Sequence, residues 1–98
     1  MAYRLIWSPT ARLDLKDLAA YIAEDNPAAA IRFVRSLFQV VERLPEFPES
    51  GRMVPEFNDA RIREVLRRPC RLVYRIKPEE QIIEIARVWH AARGIPKL

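Results

Sequence analysis

A β-hairpin is the clearest element of this sequence and lies in residues 71–89, RLVYRIKPEEQIIEIARVW. In residues 71–77 large apolar side chains alternate with basic ones, which is the period-two pattern of a strand with one buried face. Residues 78–81, Pro-Glu-Glu-Gln, are typical of a turn, and residues 82–89 predict the returning strand. Residues 61–66 predict a further strand before the hairpin, although their alternation is imperfect.

Two helices are predicted upstream of this hairpin, each opened by a capping residue followed by proline. The side chains of residues 3–7 alternate in the pattern of a half-buried strand. Ser8 then provides an N-cap, and Pro9 stands at the first helical position. The pair Asn26-Pro27 repeats this signal, so the first helix ends near Asp25. The second helix ends at Pro45 and is predicted to bury a broad apolar face, which includes Ile31 and Phe38. The short joint between the two helices predicts an antiparallel hairpin.

The remaining segments are predicted to be connections. Residues 45–60 contain three prolines and one glycine, which is typical of a long loop, and residues 90–98 are not expected to extend the sheet. The order is therefore β-α-α-β-β-β. This order indicates an α+β fold, in which a helical hairpin packs on one face of a small antiparallel sheet, and residues 1–98 are expected to form a single domain.

Length and composition exclude several classes of protein. The chain has 98 residues, of which half are hydrophobic and 31% charged, a balance typical of a globular domain. Neither a membrane-spanning run nor a signal peptide is recognisable, so we expect a cytoplasmic protein that does not enter a membrane. The only cysteine is Cys70 and the only histidine is His90, so we expect no zinc or other metal site. With two glycines and no phosphate-binding loop, we expect no nucleotide or other cofactor.

Positive charge is confined to the last third of the chain. Residues 1–60 carry 7 basic and 9 acidic groups, whereas residues 61–98 carry 10 basic and 4 acidic groups. Because the arginine fork pairs with carboxylates and phosphates, this segregation indicates an anionic partner, either a nucleic acid or an acidic protein segment. The alternative is a solvated face with no partner.

The candidate functional residues are the basic side chains of the predicted strands. In a meander, neighbouring side chains on one face stand about 5 Å apart, so we expect Arg71 and Arg75 to face Arg87 or the pair at 61 and 63. Such a cationic face suits either an acidic peptide or the charge that develops in phosphoryl transfer on RNA. The set comprises Arg61, Arg63, Arg67, Arg68, Arg71, Arg75, Arg87, His90 and Arg93.

Two of the residue types that often carry chemistry have simpler interpretations here. His90 is a candidate acid or base for phosphoryl transfer, but it also fits a partly buried residue that packs beside Trp89. Cys70 lies between basic residues, which favours a lowered thiol pKa, yet an inert core thiol is the more common case.

The ordered set of motifs resembles the RelE/ParE superfamily of bacterial type II toxins. The resemblance spans almost the whole chain and implies the same β-α-α-β-β-β fold. It rests on Ser8-Pro9, Ala11-x-x-Asp14-Leu15, Tyr21-Ile22, Asn26-Pro27-x-Ala29-Ala30, Leu44-Pro45, Ser50-Gly51-Arg52, Arg63-Glu64, residues 71–76 and the ending Ile85-x-Arg87-Val88-Trp89-His90-x-x-Arg93.

The sequence is most similar to the ParE branch, which implies a toxin that inhibits DNA gyrase without being an enzyme. The resemblance implies neutralisation by a ParD-like antitoxin, with an acidic amphipathic C-terminal segment that lies against the helical hairpin and reaches the basic sheet. Operator DNA would be bound only through that antitoxin. The residues expected to contact target or antitoxin are Arg63, Arg71, Arg75, Arg87, His90 and Arg93.

The RelE branch gives an alternative function, which is cleavage of messenger RNA on the ribosome. Under that resemblance Arg71 matches a catalytic arginine, Arg61 and Arg63 fall near paired lysines, and His90 or Arg93 belongs to the C-terminal catalytic set. A third alternative is an inactive toxin fold that persists only as the binding partner of an antitoxin.

Overall fold

The computed structural model describes residues 2–98, and within them the chain forms two helices and five strands. Three single-turn 3₁₀ helices lie between or after the strands, at Pro48–Ser50, Pro78–Glu80 and Ala91–Arg93. The helices and strands are β1 (Arg4–Trp7), α1 (Pro9–Asp25), α2 (Pro27–Val41), β2 (Arg52–Met53), β3 (Ile62–Arg67), β4 (Cys70–Lys77) and β5 (Ile82–His90).

Both helix starts form as the sequence predicts. The Ser8 side chain accepts a hydrogen bond from the Ala11 backbone N–H at 3.0 Å, and the Asn26 side chain accepts one from Ala29 N–H at 3.0 Å. Each cap is followed by proline at the first helical position. α2 ends at Val41 and not at Pro45 as expected, because residues 42–46 form turns.

The predicted α+β fold is confirmed, with two corrections to the sheet. The strand order is β1-β5-β4-β3-β2, and β1 runs parallel to β5 while the other pairs are antiparallel, so the sheet is mixed. The predicted connection 45–60 also contains β2, which pairs with Arg63 and Glu64 of β3. Alternation identifies a strand but not its partner, and a two-residue strand is too short to alternate.

The core lies between the helical hairpin and one face of the sheet. Ala11 of α1 and Leu37 of α2 are fully buried against strand residues that include Leu72 and Ile85. Among the helices of residues 2–98, none is long and apolar enough to cross a bilayer.

The opposite face of the sheet is also covered in part, which the sequence did not predict. Val73 is fully buried and Trp89 is 1% exposed. The C-terminal segment passes beside Trp89, whose indole Nε1–H donates to the Gly94 carbonyl at 3.1 Å. The expectation that residues 90–98 lie outside the sheet is wrong for His90, which ends β5 and pairs with Cys70. Residues 91–98 do not extend the sheet, as expected, but they contact its outer face.

Candidate functional site

Arg71 on β4 is the most enclosed of the predicted site residues, and its guanidinium is held by two carboxylates. Nε donates to Glu64 at 2.6 Å, while Nη1 and Nη2 donate to the two carboxylate oxygens of Glu56 at 3.0 and 2.8 Å. The side chain of Arg71 is 11% exposed, that of Glu56 is 28% exposed and that of Glu64 is fully buried. Arg71 therefore forms a bidentate ion pair with Glu56 and a second ion pair, through one hydrogen bond, with Glu64.

Neighbouring strands complete this network and set its electrostatics. Arg52 on β2 donates to the second oxygen of Glu64 at 2.6 Å, so two arginines and two glutamates alternate across three strands and one loop. The hydrogen bond from Arg71 lowers the pKa of Glu56 to about 2, and that same carboxylate raises the pKa of Arg71 above its ordinary value. The pairing of Glu56 with Arg71 thus favours the charged form of both groups.

Arg63 does not share a surface with Arg71, which corrects the expected grouping. It pairs in register with Tyr74, a residue of the helix-facing core, whereas Arg71 projects from the opposite side of its strand. The Arg63 guanidinium donates to the carbonyls of Ala60 at 2.9 Å and Gly51 at 3.0 Å.

Arg75 and Arg87 lie on the same sheet face as Arg71, as expected, because Val73 pairs in register with Arg87. Each of them is paired with an acidic side chain, so the positive charge of this face is largely compensated within the chain. Arg75 donates to Glu84 at 3.2 Å, and Arg61 lies 3.8 Å from Glu79 in an exposed ion pair. Arg87 donates through two nitrogens to Asp14 of α1 at 2.8 and 3.0 Å, and this carboxylate raises the pKa of Arg87. Composition gives the number of cations but not which acidic side chains meet them.

The C-terminal set lies around Trp89. The guanidinium of Arg93 stands 4.2 Å from the Trp89 ring centre, and that of Arg87 stands 4.8 Å from it. His90 is exposed, and its Nδ1 accepts a hydrogen bond from Ala92 N–H at 3.1 Å. Two guanidinium groups therefore lie over the Trp89 ring. The other ring nitrogen of His90 takes no part in the bond to Ala92.

Cys70 has the simpler of its two predicted interpretations. It is 2% exposed and packs in the core, where burial raises the pKa of its thiol. Among residues 2–98, no group of three or more His, Cys, Asp or Glu side chains is placed to hold a metal ion.

An apolar groove of 650 Å³ lies between α1 and α2 and was missed at the level of sequence. Ile31 and Phe38 were expected in the buried face of α2, but they are 60% and 44% exposed. The apolar residues of α2 span a wider arc of the helix than the sheet covers. The apolar residues outside that arc therefore remain exposed. The groove is lined by Ala19, Ala20, Ala23, Pro27, Ala30, Ile31, Val34, Arg35 and Phe38.

Comparison with known proteins assigns this arrangement to a family. A profile described as the ParE toxin of the type II toxin-antitoxin system parDE matches residues 5–95, nearly the whole chain. The chain belongs to the ParE toxin family. The predicted resemblance to the RelE/ParE superfamily is thereby confirmed.

One curated relative of this ParE-family chain carries a RelE name, and another is named only as a putative toxin. It is 32% identical over 90 residues to the toxin RelE2 of Caulobacter vibrioides, covering 92% of this chain and 97% of that protein. It is 33% identical over 97 residues to the putative toxin Y4kP of Sinorhizobium fredii, covering 97% and 95%. The chain is thus a toxin of a type II toxin-antitoxin system, and the names leave its target open.

Solved structures support the same fold for the ParE-family chain. The chromosomal ParDE system of P. aeruginosa matches with a TM-score of 0.73 at 24% identity, over 91% of this chain and 96% of that one. The toxin-antitoxin complex RelBE2 of Mycobacterium tuberculosis matches with a TM-score of 0.59 at 28% identity, over 94% of each chain. The first of these likenesses concerns the fold alone.

Proposed function

We propose that this ParE-family toxin acts in the cytoplasm by inhibiting DNA gyrase, without cleaving RNA, and that a ParD-like antitoxin neutralises it. The observation that carries this proposal is the state of Arg71. Its guanidinium donates to Glu56 and Glu64, so the group that would stabilise charge in phosphoryl transfer is already neutralised within the chain.

Two further features favour a non-enzymatic toxin. The hydroxyl of Tyr74 is buried and donates to the Pro48 carbonyl at 2.6 Å, so it is engaged away from solvent. His90 is followed by two alanines, and no tyrosine occurs after Tyr74. A proton-transfer site therefore depends on His90 alone, whereas cleavage needs groups for both proton removal and proton donation.

The gyrase proposal is tested by supercoiling of relaxed plasmid DNA with purified gyrase, ATP and the purified toxin. We expect the plasmid to remain relaxed at an excess of toxin and supercoiling to return when the antitoxin is added first. Normal supercoiling at every toxin concentration, with a toxin that arrests growth in cells, would exclude gyrase as the target.

A RelE-like, ribosome-dependent endoribonuclease is the second candidate. It is favoured by the relatives named RelE2 and RelBE2. In that case a purified translation reaction would produce cleaved message, and cleavage would be lost in the Arg71→Ala and His90→Ala variants. Intact message throughout would eliminate this candidate. An inactive toxin fold is excluded if expression alone arrests growth and co-expression of the antitoxin relieves the arrest.

The antitoxin is proposed to place an amphipathic, acidic C-terminal segment along the groove between α1 and α2. The small side chains of Ala19, Ala23 and Ala30 allow a helix to approach closely, and the exposed Ile31 and Phe38 provide apolar contacts. Operator DNA would be bound only through this antitoxin. Because exposed ion pairs contribute only about 0–1 kcal/mol each, we expect the complex to survive high salt in a pull-down. Complete release by salt would contradict the expectation that apolar contacts contribute more to the affinity than ion pairs do.

A further inference from the structure

A cleft of 450 Å³ opens beside Arg71 at the end of the sheet where β3 turns into β4. Three arginines line it, which are Arg52 of β2, Arg68 of the β3–β4 turn and Arg71 of β4. The other lining residues are Leu66, Pro69, Cys70 and Ala91. Arg68 is exposed, and no ion pair engages it among the residues that the structure describes.

The two carboxylates beside this cleft differ in how firmly they belong to the fold. Glu64 is fully buried and bridges Arg52 and Arg71 between adjacent strands. Glu56 comes from the loop after β2, is 28% exposed, and accepts two hydrogen bonds from the outer edge of the Arg71 guanidinium. Glu56 is therefore the carboxylate that another anion can replace.

The loop that carries Glu56 is a short turn anchored at its start. Val54 is fully buried and its N–H donates to the Ile62 carbonyl at 3.1 Å, while its own carbonyl accepts from Phe57 N–H at 3.1 Å. Asn58 has a positive φ of 49°, which closes the turn. This anchoring places the Glu56 carboxylate on Arg71 in the two-bond geometry that a phosphate would also use.

We propose that Glu56 occupies a phosphate-binding site formed by Arg52, Arg68 and Arg71, and thereby keeps nucleic-acid backbone away from this end of the sheet. With Glu56 in place, the three arginines are opposed by two carboxylates. Without it only Glu64 opposes them, and the site carries a formal charge of two positive units, which suits a phosphate better than a second carboxylate. The inference concerns binding by this chain and does not depend on gyrase being its target.

The test is binding of a fluorescein-labelled single-stranded DNA oligonucleotide at low salt, measured by fluorescence anisotropy. We expect Glu56→Gln to bind roughly tenfold more tightly than the wild type, because one opposing charge leaves the guanidinium. Glu79→Gln is the matched control, since it removes the same charge from an exposed glutamate that lies 3.8 Å from Arg61. Equal binding by the two variants would overturn the proposal.

Glu56→Asp separates occupancy of the site from net charge. It keeps the charge but shortens the side chain by one methylene, so the two bonds to Arg71 are weakened. We expect binding between that of the wild type and that of Glu56→Gln, and this arm serves also if Glu56→Gln folds poorly. Binding by Glu56→Asp that is no tighter than that of the wild type would contradict a site closed by occupancy.

A second substitution tests whether the tighter oligonucleotide binding of Glu56→Gln comes from this cleft. Adding Arg68→Gln to Glu56→Gln should remove most of the increase in affinity. Adding Arg32→Gln, which removes an exposed charge on α2, should remove little of it. Equal losses from Arg68→Gln and Arg32→Gln would overturn the location. Tighter binding of poly-glutamate but not of the oligonucleotide by Glu56→Gln would overturn the assignment to phosphate.

Discussion

Asp14 of α1 and Arg87 of β5 are joined by two hydrogen bonds, although 73 positions separate them in the chain. The same carboxylate accepts the backbone N–H of Val88 at 3.0 Å. β1 ends at Trp7, which pairs with Ile85, so this part of β5 has passed the end of its parallel neighbour. Asp14 therefore accepts the Val88 N–H at this edge, where a longer β1 would have provided a backbone acceptor.

Loss of the Asp14 carboxylate should lower stability substantially. We expect Asp14→Ala to reduce the free energy of unfolding by roughly 2–3 kcal/mol, because it leaves a largely buried guanidinium without its partner. Urea unfolding measures this change. Asp17→Ala is the control, since Asp17 is an exposed acidic residue of the same helix. Equal effects of the two substitutions would contradict a specific role for Asp14.

The hydroxyl of Tyr74 should matter for the loop before β2. It accepts a hydrogen bond from Gly51 N–H at 3.0 Å and donates to the Pro48 carbonyl. Tyr74→Phe leaves the buried Gly51 N–H without an acceptor, which should cost about 1–3 kcal/mol in thermal or urea unfolding. Tyr21→Phe, at a residue that is 73% exposed, should be close to neutral. A neutral Tyr74→Phe would refute the structural role assigned to this hydroxyl.

Acid should weaken the fold through Glu56. Its pKa is lowered from 4.5 to about 2 in the folded chain, so its contribution to stability is fully present above pH 4.5. That contribution is lost as the pH falls toward 2, because the unfolded chain takes up the proton first. The urea midpoint of the wild type should therefore fall more steeply over this interval than that of Glu56→Gln, whereas Glu79→Gln should keep the wild-type slope. Parallel profiles for the wild type and Glu56→Gln would contradict the pairing.

The groove between the helices should carry antitoxin affinity. Ile31→Glu places a charge in the groove at a residue that is 60% exposed, so folding should be preserved. We expect binding of a ParD-like cognate antitoxin, measured by calorimetry, to weaken by at least tenfold. Leu13→Glu is the control, because Leu13 is equally exposed on α1 but does not line the groove. Unchanged affinity for Ile31→Glu would remove the groove from the interface.

The elements of this fold were predictable because local chemistry marks them. Ser8 and Asn26, each followed by proline, define helix starts through contacts within one turn, and alternation in residues 71–77 defines a strand by itself. The direction of β1 was not predictable, since it depends on which distant strand covers it. The same limit applies to β2, whose two residues become a strand only through pairing with β3.

The sequence indicates which basic residues are candidates for a site but not how they are arranged. The excess of arginine in residues 61–98 makes Arg71 and Arg87 candidates. Their partners Glu56 and Asp14 lie in a loop and a helix far away in sequence, so no local pattern pairs them. The groove was missed because apolar residues of α2 such as Ile31 were assigned to the core, and only the packed structure tells a core residue from a surface one.

The central claim, that this toxin acts on gyrase and not on RNA, is tested most directly by a plasmid cleavage assay. Supercoiled plasmid is incubated with purified gyrase, ATP and toxin, and then treated with detergent and protease. We predict that linear plasmid accumulates with toxin and gyrase together and with neither alone, while message in a parallel translation reaction stays intact. Uncut plasmid at an excess of toxin, together with cleaved message, would contradict the account.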